Sequence, residues 1–164
     1  MRYALLTCTS IFLSLCADIL PEPYASINEL PFDDHGWFGN QAQLDMIFRD
    51  DIKVVIEIGS WLGKSTRYFA EKVGPQGKVY AIDTWLGSDL EREHQVDPRL
   101  KNLYHLFLSN TKQSGYANII IPMRMKSQEA ASALNVKGDL VYIDGAHDYN
   151  SVYEDILAWK DHVN

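Results

Sequence analysis

Residues 53–66 read KVVIEIGSWLGKST, a β-branched apolar run that stops at a glycine turn and gives way to a polar, helix-compatible stretch. A near-continuous run of Val and Ile suits a parallel strand buried on both faces, because such a strand has no solvent face to alternate onto. Gly59 and Gly63 flank the turn, and Lys64 to Val73 reads as a helix closed by Gly74, Pro75 and Gly77. Strand, glycine turn and helix in that order make the first unit of an α/β sheet.

The unit recurs on the C-terminal side. KVYAID (78–83), NIIIPM (118–123) and DLVYID (139–144) supply three more strands. Between them lie a polar loop from Asp89 to His94 and a helix carrying Leu100, Leu103, Tyr104, Phe107 and Leu108 at i, i+3, i+4 spacing. Ser127 reads as the N-cap of a short helix holding Ala130, Ala131 and Leu134, and Val152, Ile156, Trp159 and Val163 share one face of the last helix. Asp155 and His162 read as solvated residues of that helix. Upstream, Leu44, Ile47 and Phe48 mark a short amphipathic helix ending near Asp50–Asp51. The alternation predicts an α/β fold, a Rossmann-like parallel sheet with flanking helices and right-handed crossovers. Ligands of such sheets bind at the carboxyl ends of the strands, so Glu57, Gly59, Asp83, Ser127 and Asp144 should gather along one rim.

At 164 residues the chain suits one domain, and 46% hydrophobic with 23% charged residues is globular composition. A net charge of −7 argues against a nucleic-acid partner, whose phosphates need a basic face. No apolar run is long enough to span a bilayer outright. Residues 1–17 have the layout of a secretory leader, with Arg2 before the apolar stretch Tyr3 to Leu15, although Thr7, Thr9, Ser10 and Ser14 dilute it. Cytoplasmic and exported locations both stay open. Pro21, Pro23 and Pro31 predict an extended linker over residues 18–36, leaving 37–164 as the domain. Cys8 and Cys16 both fall in the leader, which excludes a disulfide framework, a thiolate metal site or a cysteine nucleophile from the rest.

The turn between Gly59 and Gly63 offers N–H groups and a helix N-terminus to a carboxylate or phosphate, with Ser65 and Thr66 as hydroxyl donors. Asp83 closes the second strand about twenty residues later, where an acid holds ribose hydroxyls in nucleoside-binding folds. A dinucleotide fingerprint would need glycines where Trp61 and Lys64 stand. A P-loop needs four residues between its glycines, and here only Ser60, Trp61 and Leu62 intervene. S-adenosylmethionine suits the pattern better: it has a carboxylate for the turn, a ribose for Asp83 and no phosphate.

Together VVIEIGSWLGKST, VYAIDTW, MKSQEAA and LVYIDGAHDY resemble class I methyltransferases related to metal-dependent sugar and catechol O-methyltransferases, over most of the chain from Trp37 onward. The resemblance implies that Glu57, Gly59 and Ser65 hold the methionine part, Asp83 the ribose, and Ser127 and Gln128 the adenine edge. Ser60, Gly63 and Thr84 complete the implied cofactor set, and Trp85 either packs on the adenosine or is a core aromatic. In Asp144-Gly145-Ala146-His147 it implies an aspartate on Mg²⁺ and, three positions on, a basic residue: His147 as general base to a substrate hydroxyl. The alternative is that His147 caps the last helix or hydrogen-bonds Tyr149.

The family's sheet has seven strands and further metal carboxylates beyond the point where this sequence stops, so the resemblance implies a C-terminally truncated domain with Asp144 as the lone metal ligand. It also implies an open edge on the 139–143 strand, available for homo-oligomerisation or a partner. Three functions follow: S-adenosylmethionine-dependent O-methylation of a small hydroxylated molecule such as a sugar; a remnant that binds the cofactor or a partner without catalysis; and a P-loop-like nucleotide binder.

Overall fold

Each crossover helix packs its strand into one parallel sheet in a computed structural model that describes residues 19–88 and 91–164. Strands β1 (Val54–Ile58), β2 (Lys78–Asp83), β3 (Ile120–Arg124) and β4 (Leu140–Ile143) lie in the order β3-β2-β1-β4, all parallel. Val54 pairs with Lys78, and Val55 with Leu140. β1 is therefore a central strand, as its near-continuous apolar run predicted.

Side chains alternate across this sheet and divide the core in two. Val55, Val79 and Ala81 face α2 (Lys64–Val73) and α4 (Leu103–Gln113), where Phe69, Leu103 and Phe107 are buried. Ile56, Ile58 and Ile82 face α5 (Ser127–Ala133) and α6 (Tyr149–Trp159), where Ala130 and Trp159 are buried. Two short helices complete the frame, α1 (Gln41–Ile47) before β1 and α3 (Arg92–Val96) within the stretch read as a polar loop. A 3-10 turn over Pro98–Asn102, started by Asp97 accepting from the Arg99 N–H, occupies the first residues expected of the helix that carries Leu100 to Leu108.

Residues 19–36 contain a turn over 22–26 and otherwise neither helix nor strand, and they lie against the domain. Tyr24 is buried and donates to the Ile120 carbonyl at 3.0 Å, while the Ser109 hydroxyl accepts from the Leu30 N–H at 2.8 Å. Asp33 and Asp34 bind Arg99 and Arg67. The leader expected over residues 1–17, with both cysteines, lies outside the described residues.

α6 differs from its expected orientation. Trp159 is in the core, but Ile156 and Leu157 are half exposed, and Asp155, expected in solvent, is only 5% exposed. The helix is rotated so that Asp155 and Trp159, one turn apart, share the buried face. His162 is half-buried against Trp159, 4.9 Å between ring centroids, rather than solvated. Val163 lies past the helix, where it bridges Gly138 just before β4. Along Leu140–Ile143, β4 pairs only with β1 among the described residues. No helix among them is long and apolar enough to cross a membrane.

Candidate functional site

The carboxyl ends of the four strands open into one cavity of about 750 Å³, within the range of small-molecule sites. Gly59, Ser60, Ser65, Asp83, Thr84, Ser127, Gln128, Asp144 and His147 all line it, so nine of the residues proposed from sequence meet at one place.

Asp83 does more there than the sequence suggested. Its Oδ2 accepts from the backbone N–H groups of Ser60 (3.0 Å) and Trp61 (2.9 Å), and its Oδ1 from that of Trp85 (2.7 Å). Trp61 and Trp85 both have left-handed backbones, with φ of 48° and 52°, a conformation that is strained for bulky residues. One carboxylate thus pins both turns, and part of its acceptor capacity remains for a ligand.

Glu57 and Gly63 stand behind the cavity wall. Glu57 is fully buried, and its carboxylate is ringed by the hydroxyls of Ser65 (2.6 Å), Ser60 (2.7 Å) and Thr66. Its role is to tie the turn to the first residues of α2. Burial pushes its pKa up from 4.5 to about 7, against the opposing effect of the three hydroxyls. A carboxyl group whose pKa is raised on folding stabilises the fold at low pH, and that stabilisation is lost as pH rises. The window here runs from 4.5 to about 7, and the full shift corresponds to roughly 3 kcal/mol. Wild-type protein is therefore expected to lose stability to urea between pH 5 and pH 8. Glu57→Gln should remove most of that slope; an unchanged slope in the variant would show that Glu57 is not the titrating group.

Trp85, one candidate for packing on the adenosine, is instead a core residue. It is 1% exposed, its indole N–H donates to the Trp61 carbonyl at 2.8 Å, and its rings lie 4.7 Å from those of Tyr104 and Phe107. Its left-handed backbone turns the ring inward, away from the cavity. Ser127 is not an N-cap either: Lys126 holds that position, and the Ser127 hydroxyl accepts from the Trp159 indole at 2.8 Å.

His147 is mostly exposed and lies between two carboxylates. Its Nδ1 is 3.4 Å from Glu91 Oε1, and its Nε2 is 3.6 Å from Asp144 Oδ1. It does not cap α6. Asp148 does, accepting from the N–H groups of Asn150 and Ser151. Asp144 Oδ2 accepts from the Tyr142 hydroxyl at 3.3 Å, and burial pushes that phenol up to about 12. Among the described residues no three His, Cys, Asp or Glu side chains are grouped to hold a metal ion. The resemblance implied Asp144 as the lone metal ligand, and no further ligand set accompanies it among the described residues.

Sequence reading missed one side of the cavity. Trp61 stacks on His94, with centroids 4.4 Å apart and planes at 13°, and Trp37 lies 5.5 Å from His94. Glu91, Glu93 and Lys126 line the same space, with Glu154 and Asp155 on α6. For Asp155 a signal existed: it stands four residues before a core tryptophan. For the Trp37–Trp61–His94 group there was none, because its members come from three separate segments.

Residues 56–164 match the model of a family described as Methyltransferase domain. The chain belongs to that family. Among solved structures, this methyltransferase domain is similar to cofactor-bound Rv0187 from MTB, at 20% identity over 82% of this chain and 55% of that one, with a TM-score of 0.59. The O-methyltransferase TomG from Streptomyces achromogenes, solved with SAM, shares 14% identity over 79% and 53%, with a TM-score of 0.60. An O-methyltransferase from Bacillus cereus, solved with SAH, shares 14% identity over 81% and 56%, with a TM-score of 0.58. At these identities the likeness shows the class I methyltransferase fold. The chain spans about half the length of these structures. No curated protein matches it.

Proposed function

We propose that this domain binds S-adenosylmethionine and methylates a hydroxyl group of a small molecule, with a sugar as one acceptor class. One observation carries the reading: a single cavity joins the Gly59 turn, Asp83, Ser127 and Gln128 to Asp144 and His147. The turn and α2 suit the methionine end, and Asp83 suits the ribose through its remaining acceptor capacity. Ser127 and Gln128, at the end of the neighbouring strand, suit the base. When bound, the cofactor supplies an electrophilic methyl group. His147, with its Nδ1 proton directed to Glu91, would leave Nε2 to accept the proton of an acceptor hydroxyl. Trp37 and Trp61 offer flat apolar faces for that acceptor.

Calorimetric titration with S-adenosylmethionine tests the binding step, with saturable one-to-one binding as the expected result. A folded chain that shows no heat of binding would overturn the reading. Methyl transfer to a hydroxylated acceptor that is lost in His147→Ala would support the proposed base.

A further inference from the structure

Asp155 borders the cavity from α6, although its side chain is almost wholly buried. Its neighbours form a short relay. The Trp159 indole N–H donates to Ser127 Oγ at 2.8 Å, which leaves the hydroxyl's own proton for Asp155. Gln128 Nε2 reaches Asp155 Oδ1 at 3.5 Å, a long contact. A carboxylate has about four acceptor directions, and these two donors use two of them. Burial raises the pKa of Asp155, with the Ser127 hydroxyl opposing and the nearby Glu154 charge adding to the rise. The two donors leave acceptor directions on Asp155 that a ligand in the cavity can use.

The position of this acceptor indicates which donor. Asp83 ends β2, and its carbonyl accepts from the N–H of Met125, two residues before Ser127. A nucleoside with its ribose at Asp83 therefore extends its base toward Ser127, Gln128 and Asp155. Gly145, at the end of β4, borders the same space: a Cβ there would sit 3.7 Å from Asp155 Oδ2, at ordinary contact distance.

We propose that Asp155 reads the base of the cofactor by accepting a hydrogen bond from the exocyclic amino group of adenine. The inference rests on the cofactor reading above. An ionised carboxylate can only accept, so it favours a 6-aminopurine. It meets the oxygen of a 6-oxopurine with acceptor against acceptor. Asp155 is then a specificity-determining residue, and Ser127 and Trp159 hold it in position.

The test titrates the full chain with S-adenosylhomocysteine and with S-inosylhomocysteine, its 6-oxo analogue. Wild type should prefer the adenosyl compound by about 10- to 100-fold, the range set by one hydrogen bond to a charged group. In Asp155→Asn the preference should fall to about threefold or less, because the amide can also donate to the 6-oxo group. Circular dichroism checks that the variant is folded, and Asp155→Ser replaces it if it is not. A wild-type ratio near one, or an unchanged ratio in a folded variant, overturns the inference and leaves the cofactor reading intact. Wild type that fails to bind S-adenosylhomocysteine sinks both. A purely structural role for Asp155 would weaken both ligands alike and leave the ratio unchanged.

Discussion

Gly59→Ala is expected to destabilise the domain by roughly 3–5 kcal/mol, from left-handed backbone strain and overpacking together. Gly59 has φ of 87°, and its N–H donates to the Ile82 carbonyl at 2.8 Å. An added Cβ would overlap the Asp144 carbonyl and lie 2.7 Å from Gly145 Cα. The obstacle is backbone, so no side-chain rotation relieves it. The ends of β1 and β4 would have to part, and the Gly59 turn and Asp144 would separate with them. For a domain of this size that corresponds to a fall in melting temperature of roughly 6–20 °C. A variant melting within a few degrees of wild type would mean that the two strand ends are not held this close.

Asp83→Ala is expected to cost roughly 3 kcal/mol, since three backbone donors lose their charged acceptor while two tryptophans remain in strained conformations. Those donors are the N–H groups of Ser60, Trp61 and Trp85, which reach the carboxylate at 3.0, 2.9 and 2.7 Å. Asp83→Asn keeps one acceptor oxygen and should cost about half as much. The stack of Trp61 on His94, at 4.4 Å, depends on the first turn, so near-ultraviolet circular dichroism should change together with stability. Unaltered unfolding in Asp83→Ala would show that the aspartate does not hold the turns. It follows that loss of ligand binding in Asp83→Ala cannot by itself be assigned to a ribose contact, and the two oxygens have to be tested separately.

The four strands, their parallel direction and the rim of acidic and glycine residues were legible because each depends on short-range pattern. A near-continuous run of Val and Ile, interrupted only by Glu57, suits a parallel strand buried on both faces. A crossover between parallel strands has one favoured hand. Together these bring Gly59, Asp83, Ser127 and Asp144 to one edge without knowledge of a single tertiary contact. Glu57 was also placed at the end of β1, but the alternation of side chains turns it toward α2 and away from the cavity.

What the sequence by itself determined is therefore the α/β fold and the meeting of the strand ends along one rim. The tertiary structure alone decided how the side chains are used there. Val152, Ile156 and Trp159 define an apolar stripe, yet packing on α5 rotates α6 until Asp155 shares its buried face and Ile156 is half exposed. Trp85 looked equally suited to a ligand or to the core, and its φ of 52°, sustained by Asp83, turns it inward. The Trp37–Trp61–His94 wall joins three segments whose meeting no local pattern records. The physical reason is the same in each case. Periodicity places a residue on an element, whereas the rotation of that element, and the donors that reach its side chains, are set by neighbours far away in the chain.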